Sequence, residues 1–405
     1  MSTAPSPRRA ALAFIFVTVA LDVLALGIII PVLPNLILRF LQGDTEAAAW
    51  MVMMFQVLWA LMQFFFSPIL GSLSDRFGRR PVILISNFGL GLDYILMALA
   101  PSLAWLLVGR IVSGITAASI STAGAYIADV TPPEKRAAGF GMIGAAFGLG
   151  FVLGPAVGGL LGGIDPRLPF WAAAGLSLSN AMYGLFVLPE SLPHEKRSPF
   201  SWKRANPLGS LRLLRSRPAL LGLATVAFLG FLAHEVYPAT FVLYAEARYG
   251  WNETTVGLTL AAVGVCAAIV QAGVVRPAVA RFGERRVLLT GLLCGAIGFV
   301  VYGLAPTGEL FWLGIPIVAF WGMSGPAVQG LMTRRVEPTE QGQLQGAHSS
   351  LRGVSGLIGP FLFAAAFVAG IHGFEAFPVP GAAFLLGAIV LAGGFALAYG
   401  LKTAR

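Results

Sequence analysis

The chain has 405 residues, 57% of them hydrophobic and 11% charged, with a formal net charge of +9. So few charges spread over so many apolar runs exclude a soluble globular protein and predict a polytopic helical membrane protein. The two cysteines, Cys266 and Cys294, lie in apolar runs and form no Cys-x-x-Cys pair, so neither a disulfide framework nor a metal knuckle is expected.

Twelve spans are predicted, at about 11–38, 48–70, 81–100, 103–126, 138–162, 168–189, 218–240, 254–274, 287–305, 310–332, 345–370 and 378–401. Arg8 and Arg9 precede the first, which contains an acid and is too long for a signal peptide, so it reads as a retained span. The second and third flank a short charged island, Gly71-Ser-Leu-Ser-Asp75-Arg76-Phe-Gly78-Arg79-Arg80. Two spans joined by so short a loop make a helical hairpin, and three arginines place that loop on the cytoplasmic side. Gly71 and Gly78 are expected to allow a tight turn and close helix approach. The plainer alternative is a charge cluster that only orients the hairpin.

The remaining charges test this topology. Of the 27 lysines and arginines, Arg39, Arg167 and Arg248 fall on the predicted outside and Arg110 and Arg352 inside spans, leaving 22 on the predicted inside. That bias fixes the orientation, with both termini cytoplasmic, and makes the positive charge a topology signal rather than a nucleic-acid footprint. Between spans six and seven a longer loop carries seven basic residues, from Lys196 to Arg217. It reads either as a tether or as a segment lying on the anionic inner leaflet. The expected organisation is a six-helix bundle over 1–189, a cytoplasmic linker over 190–217 and a second six-helix bundle over 218–405.

The halves repeat. Arg76-Phe77-Gly78 recurs as Arg281-Phe282-Gly283, and Gly154-Pro155 as Gly359-Pro360, both 205 residues on; Glu134 is matched by Glu340. In the second copy of the charged loop, Ala280 stands where the first has Asp75. Parallel six-span repeats place a binding site near the midplane between halves.

These features resemble the major facilitator superfamily, whose loop motif is similar to Gly71–Arg80. In span five, Gly144, Gly148, Gly154, Pro155 and Gly158 resemble the glycine motif of that superfamily's drug/proton antiporters; physically they offer a smooth face for packing, with a bend at the proline. Within the superfamily the chain is most similar to the tetracycline efflux proteins. The similarity runs through Leu21-Asp22, Pro31-Val-Leu-Pro34, Asp93-Tyr94, Gly109-Arg110, Ser113–Thr116 and Gln341–Gly346, and covers nearly the whole chain. It implies the twelve-helix fold, with Asp22 and Asp93 in the positions of transport-critical acids.

A charge at the bilayer centre costs roughly 2.5–3.5 kcal/mol on insertion scales, so each intramembrane ionisable group is a functional candidate. The economical arrangement sets Asp22 opposite Arg110, where burial and a nearby guanidinium act on the carboxyl in opposite senses. Asp93 ranks below Asp22, because span three is less central in this fold. The second half departs from the resembled pattern: Ala267 and Gly295 stand where the tetracycline proteins carry a histidine and an aspartate. Span seven instead offers His234 and Glu235, with His348 and Arg352 in span eleven. A buried His–Glu pair titrates as a unit, unless Pro238 ends span seven and leaves both at the outer mouth. The proton-coupling set is therefore Asp22, Asp93, Arg110, His234, Glu235 and Arg352. Substrate-cavity candidates are Asn35, Gln56, Gln63, Tyr126, Tyr237, Trp321 and Gln329, which mix aromatic area with polar handles. At the cytoplasmic gate, Gly71, Asp75, Arg76, Gly78, Arg79 and Arg80 are joined by Asp129, a partner for Arg79; Asp75 is expected to cap or pair with the neighbouring half.

No phosphate loop or His-Glu-x-x-His is present, the nucleophile-like Gly322-Met-Ser324-Gly325 reads as small-residue packing with only His348 as a candidate base, and no cofactor or metal is expected; the proton gradient is the energy source. The reading is a monomeric proton-coupled exporter of amphipathic small molecules in a bacterial inner membrane. A symporter or uniporter of the same fold for sugars, organic anions or lipids is the alternative.

Overall fold

The computed structural model describes residues 7–116, 119–131, 136–200, 218–336, 341–372 and 379–401. Glu134, Glu340 and most of the basic linker lie outside them. The first half comprises α1 (Pro7–Ile29), α2 (Leu33–Phe40), α3 (Thr45–Phe77), α4 (Arg79–Leu99), α5 (Leu103–Thr116), α6 (Ser119–Val130), α7 (Arg136–Ile164) and α8 (Leu168–Val187). The second comprises α9 (Pro218–His234), α10 (Val242–Tyr249), α11 (Glu253–Ile269), α12 (Val275–Leu304), α13 (Gly308–Ala319), α14 (Ser324–Thr333), α15 (Gln341–His372) and α16 (Ala382–Gly400).

Among the described residues, ten helical runs are long and apolar enough to cross a membrane. One of them, Glu253–Leu304, holds two of the expected spans, divided at Gly283, where φ is 79° and ψ 157°. The shorter apolar α5 supplies a further one. Large side chains such as Ile164 and Phe186, each 77% exposed, point outward, as a lipid-facing surface requires.

Two boundaries differ from the sequence reading. The charged island is not a loop: α3 runs through it to Phe77 and α4 starts at Arg79, leaving Gly78 alone as the turn. Its φ of 107° and ψ of 160° are open essentially to glycine. Gly71 sits inside α3, and a Cβ there would meet nothing within 4 Å, so it provides neither the turn nor a close approach. Pro238 does not end span seven. A π-helical turn at Tyr237–Phe241 absorbs it, and the apolar run continues from Leu220 to Tyr249. His234 and Glu235 therefore lie midway along that run rather than at its mouth.

The described helices fall into two compact units: Met1–Phe40, Leu58–Asn206 and Asn252–Ala261 in one, and Leu41–Val57, Pro207–Trp251 and Ala262–Arg405 in the other. The first is packed around Ile15, Val19, Val23, Ile83, Tyr126 and Ile127. Within it α7 lies on α1 along Gly150, Gly154 and Gly158, one residue per helical turn: a Cβ on Gly154 would fall 2.6 Å from the Gly27 Cα, and one on Gly150 2.6 Å from Val23 Cγ1. Gly148, two residues off that stripe, faces open space. Further along, Gly159 meets Gly257 of α11, and the Thr254 hydroxyl donates to the Gly159 carbonyl at 3.2 Å. The second unit has an aromatic core in which Tyr302 stacks on Phe311 at 3.9 Å, beside Phe299 and Phe384.

Candidate functional site

Three buried polar groups meet in the first unit. Asp22 of α1 accepts a hydrogen bond from Asn180 Nδ2 of α8 at 2.8 Å, and the same amide donates to the Thr18 carbonyl at 2.9 Å. In its hydrogen-bonding orientation the Asn87 amide of α4 also donates to both Asp22 oxygens, at 3.1 and 3.2 Å, while its carbonyl accepts from Asn180 at 3.0 Å. Asp22, Asn87 and Asn180 are all buried. Charge-assisted bonds of this kind offset the desolvation of an ionised carboxylate. Amides accept as well as donate, so they also accommodate the protonated acid. Neither asparagine stood out in the sequence; both are isolated amides in apolar spans.

Arg110, expected opposite Asp22, interacts electrostatically with Asp93 and Tyr94. Gly109 makes room for this: a Cβ there would sit 2.9 Å from Asp93 Oδ1. Asp93 is 1% exposed and neither carboxylate oxygen has a hydrogen-bond partner. The Arg110 guanidinium also lies over the Trp59 ring at 5.5 Å. Asp22 thus sits among amides, while the Arg110 charge acts on Asp93.

The second unit has its own polar group. The Arg352 charge acts on His234, Glu235 and His348. Its guanidinium lies over Phe231 at 5.4 Å, and Phe231 contacts His348 edge-on at 4.8 Å. His234 is flanked by Tyr237 and Trp321, each 6.0 Å away between ring centres. Glu235 packs on Gly359, where a Cβ would meet its Cβ and Cγ at 2.5 Å. Gly295 is closed by packing: a Cβ there would fall 2.8 Å from Trp321 Cγ, so a side chain at 295 requires that Trp321 move.

The cavity candidates fare unevenly. Tyr126 is buried in the first unit's core and donates to the Pro189 carbonyl at 3.1 Å. Gln56 donates to the Pro238 carbonyl in the π-helical turn. Asn35 is buried with its Oδ1 unpartnered and retains polar capacity, whereas the Tyr237 hydroxyl is directed to that of Tyr302. Gln63 and Gln329 are half-buried, on α3 and α14.

At the gate Arg79 is buried and fully engaged. It bonds Asp129 through Nε at 3.0 Å, Asp75 at 2.5 Å and the Ser74 hydroxyl at 2.6 Å. Asp75 therefore pairs across the Gly78 turn, from the end of α3 to the first residue of α4. Arg80 donates to the Leu185 carbonyl at 2.5 Å, and exposed Arg76 lies over Phe77. Glu190, which sequence reasoning passed over, organises this end. Its carboxylate accepts from the Arg79 and Arg80 amides at 2.9 and 3.3 Å, and from Ser191 and Leu192 at 2.9 and 3.0 Å. It caps α4 across the Gly78 turn, at the positive end of the helix. A lone acid opening a basic linker was its signal.

The second half repeats this geometry with the signs exchanged. Glu284 and Arg334, each 205 residues beyond Arg79 and Asp129, pair at 3.1 Å. Arg285, the counterpart of Arg80, donates to the Tyr399 carbonyl at 2.8 Å.

Apolar helices of spanning length, an internal duplication and ionisable groups set within the apolar helices of both units define a membrane transporter. The chain belongs to the Major Facilitator Superfamily, whose model matches residues 15–360. It is 42% identical over 362 residues to the tetracycline resistance protein, class C, of Escherichia coli, covering 89% of this chain and 90% of that one. It is 40% identical over 351 residues to the class G protein of Vibrio anguillarum, covering 87% and 88%. Among solved structures, the nucleoside transporter NupG is similar with a TM-score of 0.75 at 13% identity, covering 97% of this chain and 100% of that one. The human organic anion transporter MFSD10 (TETRAN) is similar at 0.73 and 24%, with the same coverage. These two likenesses concern the fold.

Proposed function

We propose that the chain is a proton-coupled efflux antiporter that exports amphipathic small molecules, tetracycline-like compounds among them, by alternating access. The observation that carries this reading is the pair of buried acids in the first unit, Asp22 in its amide cradle and Asp93 beside Arg110. An amide cradle serves a carboxyl in either protonation state, as a proton carrier needs. Glu235, with Arg352 and His234, is the second-half candidate. Protons entering from outside load these acids, bias the conformational equilibrium and lower drug affinity, so proton and drug exclude one another. The named relatives support a tetracycline-like substrate. Ala267 and the packed Gly295 mean that this chain does without the second-half histidine and aspartate of the resembled pattern. Its place is a bacterial inner membrane, as a monomer with cytoplasmic termini.

The test uses inside-out membrane vesicles energised by respiration, offered tetracycline and a panel of cationic dyes, with and without a protonophore. Uphill uptake that collapses with the protonophore and is absent in Asp22→Asn is expected, with the variant still inserted in the membrane. Uptake insensitive to the protonophore points to the facilitator alternative, and full activity of Asp22→Asn sinks the proton-carrier role.

A further inference from the structure

The guanidinium of Arg352 has no acid committed to it. Arg79, Arg80, Arg167, Arg248, Arg285 and Arg334 each bond a carboxylate or a main-chain carbonyl. Arg352 lies within the span Ala347–His372, is exposed, and has no hydrogen bond or ion pair among the described residues. Its guanidinium rests on the Phe231 ring face instead. The duplicated framework does not require this charge: 205 residues earlier the first half has Phe147, and it has Ile30 where the second half has Glu235. A cation kept inside a span without an internal counter-ion marks function rather than scaffold.

The face that carries Arg352 is the polar one. At about 100° per residue, His348, Ser355 and Gly359 of α15 lie within about 60° of it, and the exposed apolar Ile358 and Phe361 about 120° and 180° away. Arg352 therefore stands toward α9, where its charge acts on His234 and Glu235 as well as on His348. Glu235 is uncommitted too. Its carboxylate has no hydrogen bond or ion pair among the described residues, and its side chain packs over Gly359, two turns or about 10 Å along α15 from Arg352. A cation and an anion are thus held along one strip without neutralising each other in an ion pair. Rings line the strip: Phe231 beneath the guanidinium, and Tyr237 and Trp321 beside His234. This combination fits an aromatic amphiphile with an anionic group, because the guanidinium fork matches two carboxylate or enolate oxygens and the ring faces take the apolar body.

We propose that Arg352 determines specificity for substrates that carry an anionic group: it binds that group, with the substrate's rings along Phe231, and a cationic group at the far end falls to Glu235. This assignment deepens the transport reading and rests on it for a small-molecule substrate, but not on proton coupling. Its test therefore reads equilibrium binding without a gradient. Rhodamine B carries a free carboxylate, and its ethyl ester keeps the rings and the cationic charge without it. Fluorescence polarisation is measured with the purified whole protein in micelles. Arg352→Gln should weaken binding of the acid about tenfold, roughly 1.4 kcal/mol, and leave the ester unchanged. Equal loss of acid and ester, as a merely structural role predicts, overturns the proposal, and so does an unchanged affinity for the acid or a wild type that does not bind it. A second measurement needs no variant: phenylglyoxal labelling of Arg352 in the wild type should be slowed by the acid and not by the ester, and equal rates overturn the site. Uptake insensitive to a protonophore would refute the antiporter and leave these binding results standing.

Discussion

Asp129 and Asp75 both touch Arg79, and the structure ranks them against intuition. The Asp75 contact is the shorter, at 2.5 Å, but its side chain is 41% exposed. An ion pair exposed to this degree is worth about 0.5 kcal/mol after screening. The Asp129 contact is 3.0 Å long, between side chains only 10% and 21% exposed. Its bare attraction at that distance is about 5–6 kcal/mol in an effective dielectric of about 20. Desolvation offsets most of that, leaving about 1.5–3 kcal/mol for a charged hydrogen bond. Asp129→Asn should therefore destabilise the protein by about 1.5–3 kcal/mol and Asp75→Asn by about 0.5 or less. The measurement is reversible unfolding in mixed micelles, followed by tryptophan fluorescence. The second half adds a sharper version. There the pair is Glu284 to Arg334, and Ala280 stands at the Asp75 position. The triple variant Asp75→Ala/Arg79→Glu/Asp129→Arg should recover most of the stability lost in Asp129→Arg alone. Equal losses for Asp75→Asn and Asp129→Asn, or no recovery in the triple variant, refute the reasoning.

Two further substitutions test the packing. Gly154→Val places a side chain against the Gly27 backbone and should cost at least about 1–3 kcal/mol by overpacking, whereas Gly148→Val enters open space and should be near neutral in the same unfolding assay. Gly78→Ala and Gly283→Ala both force a backbone that costs a side chain about 1–3 kcal/mol. Gly78→Ala also collides with Glu190, so it should lower the unfolding temperature more than Gly283→Ala; equal shifts would remove Glu190 from its capping role.

The architecture was legible because membrane insertion writes its rules into composition. Spanning lengths, arginine sidedness and the 205-residue repeat need no tertiary information. Three-dimensional packing added what the sequence could not show. The amides of α4 and α8 that reach Asp22 are isolated polar residues in apolar spans, and the charges of Arg110 and Asp93 act on one another beside Gly109, where a Cβ would fall 2.9 Å from Asp93 Oδ1. The alternative that Pro238 ends span seven falls, because the chain absorbs the proline in a π turn, to which Gln56 contributes an amide; the span runs on to Tyr249 rather than stopping near 240. Gly148 has the right residue type for the packing stripe and the wrong angular position. Glu190 was hidden because its role lies in meeting backbone amides more than a hundred residues away.

The second charged loop looked degraded when compared letter by letter, because it had lost the acid at Ala280. In three dimensions it is inverted rather than decayed. An ion pair requires opposite signs at two positions and does not specify which position carries which. Once Glu284 occupies the place of Arg79, an acid four positions before it, across the Gly283 turn, would repel rather than attract, so alanine at 280 is the consistent choice. The Gly78 and Gly283 turns keep the same backbone shape, yet a Cβ would meet Glu190 at the first and nothing within 4 Å at the second. A duplicated backbone has thus kept two geometric features, an ion pair and a glycine turn, while exchanging the side chains that satisfy the first.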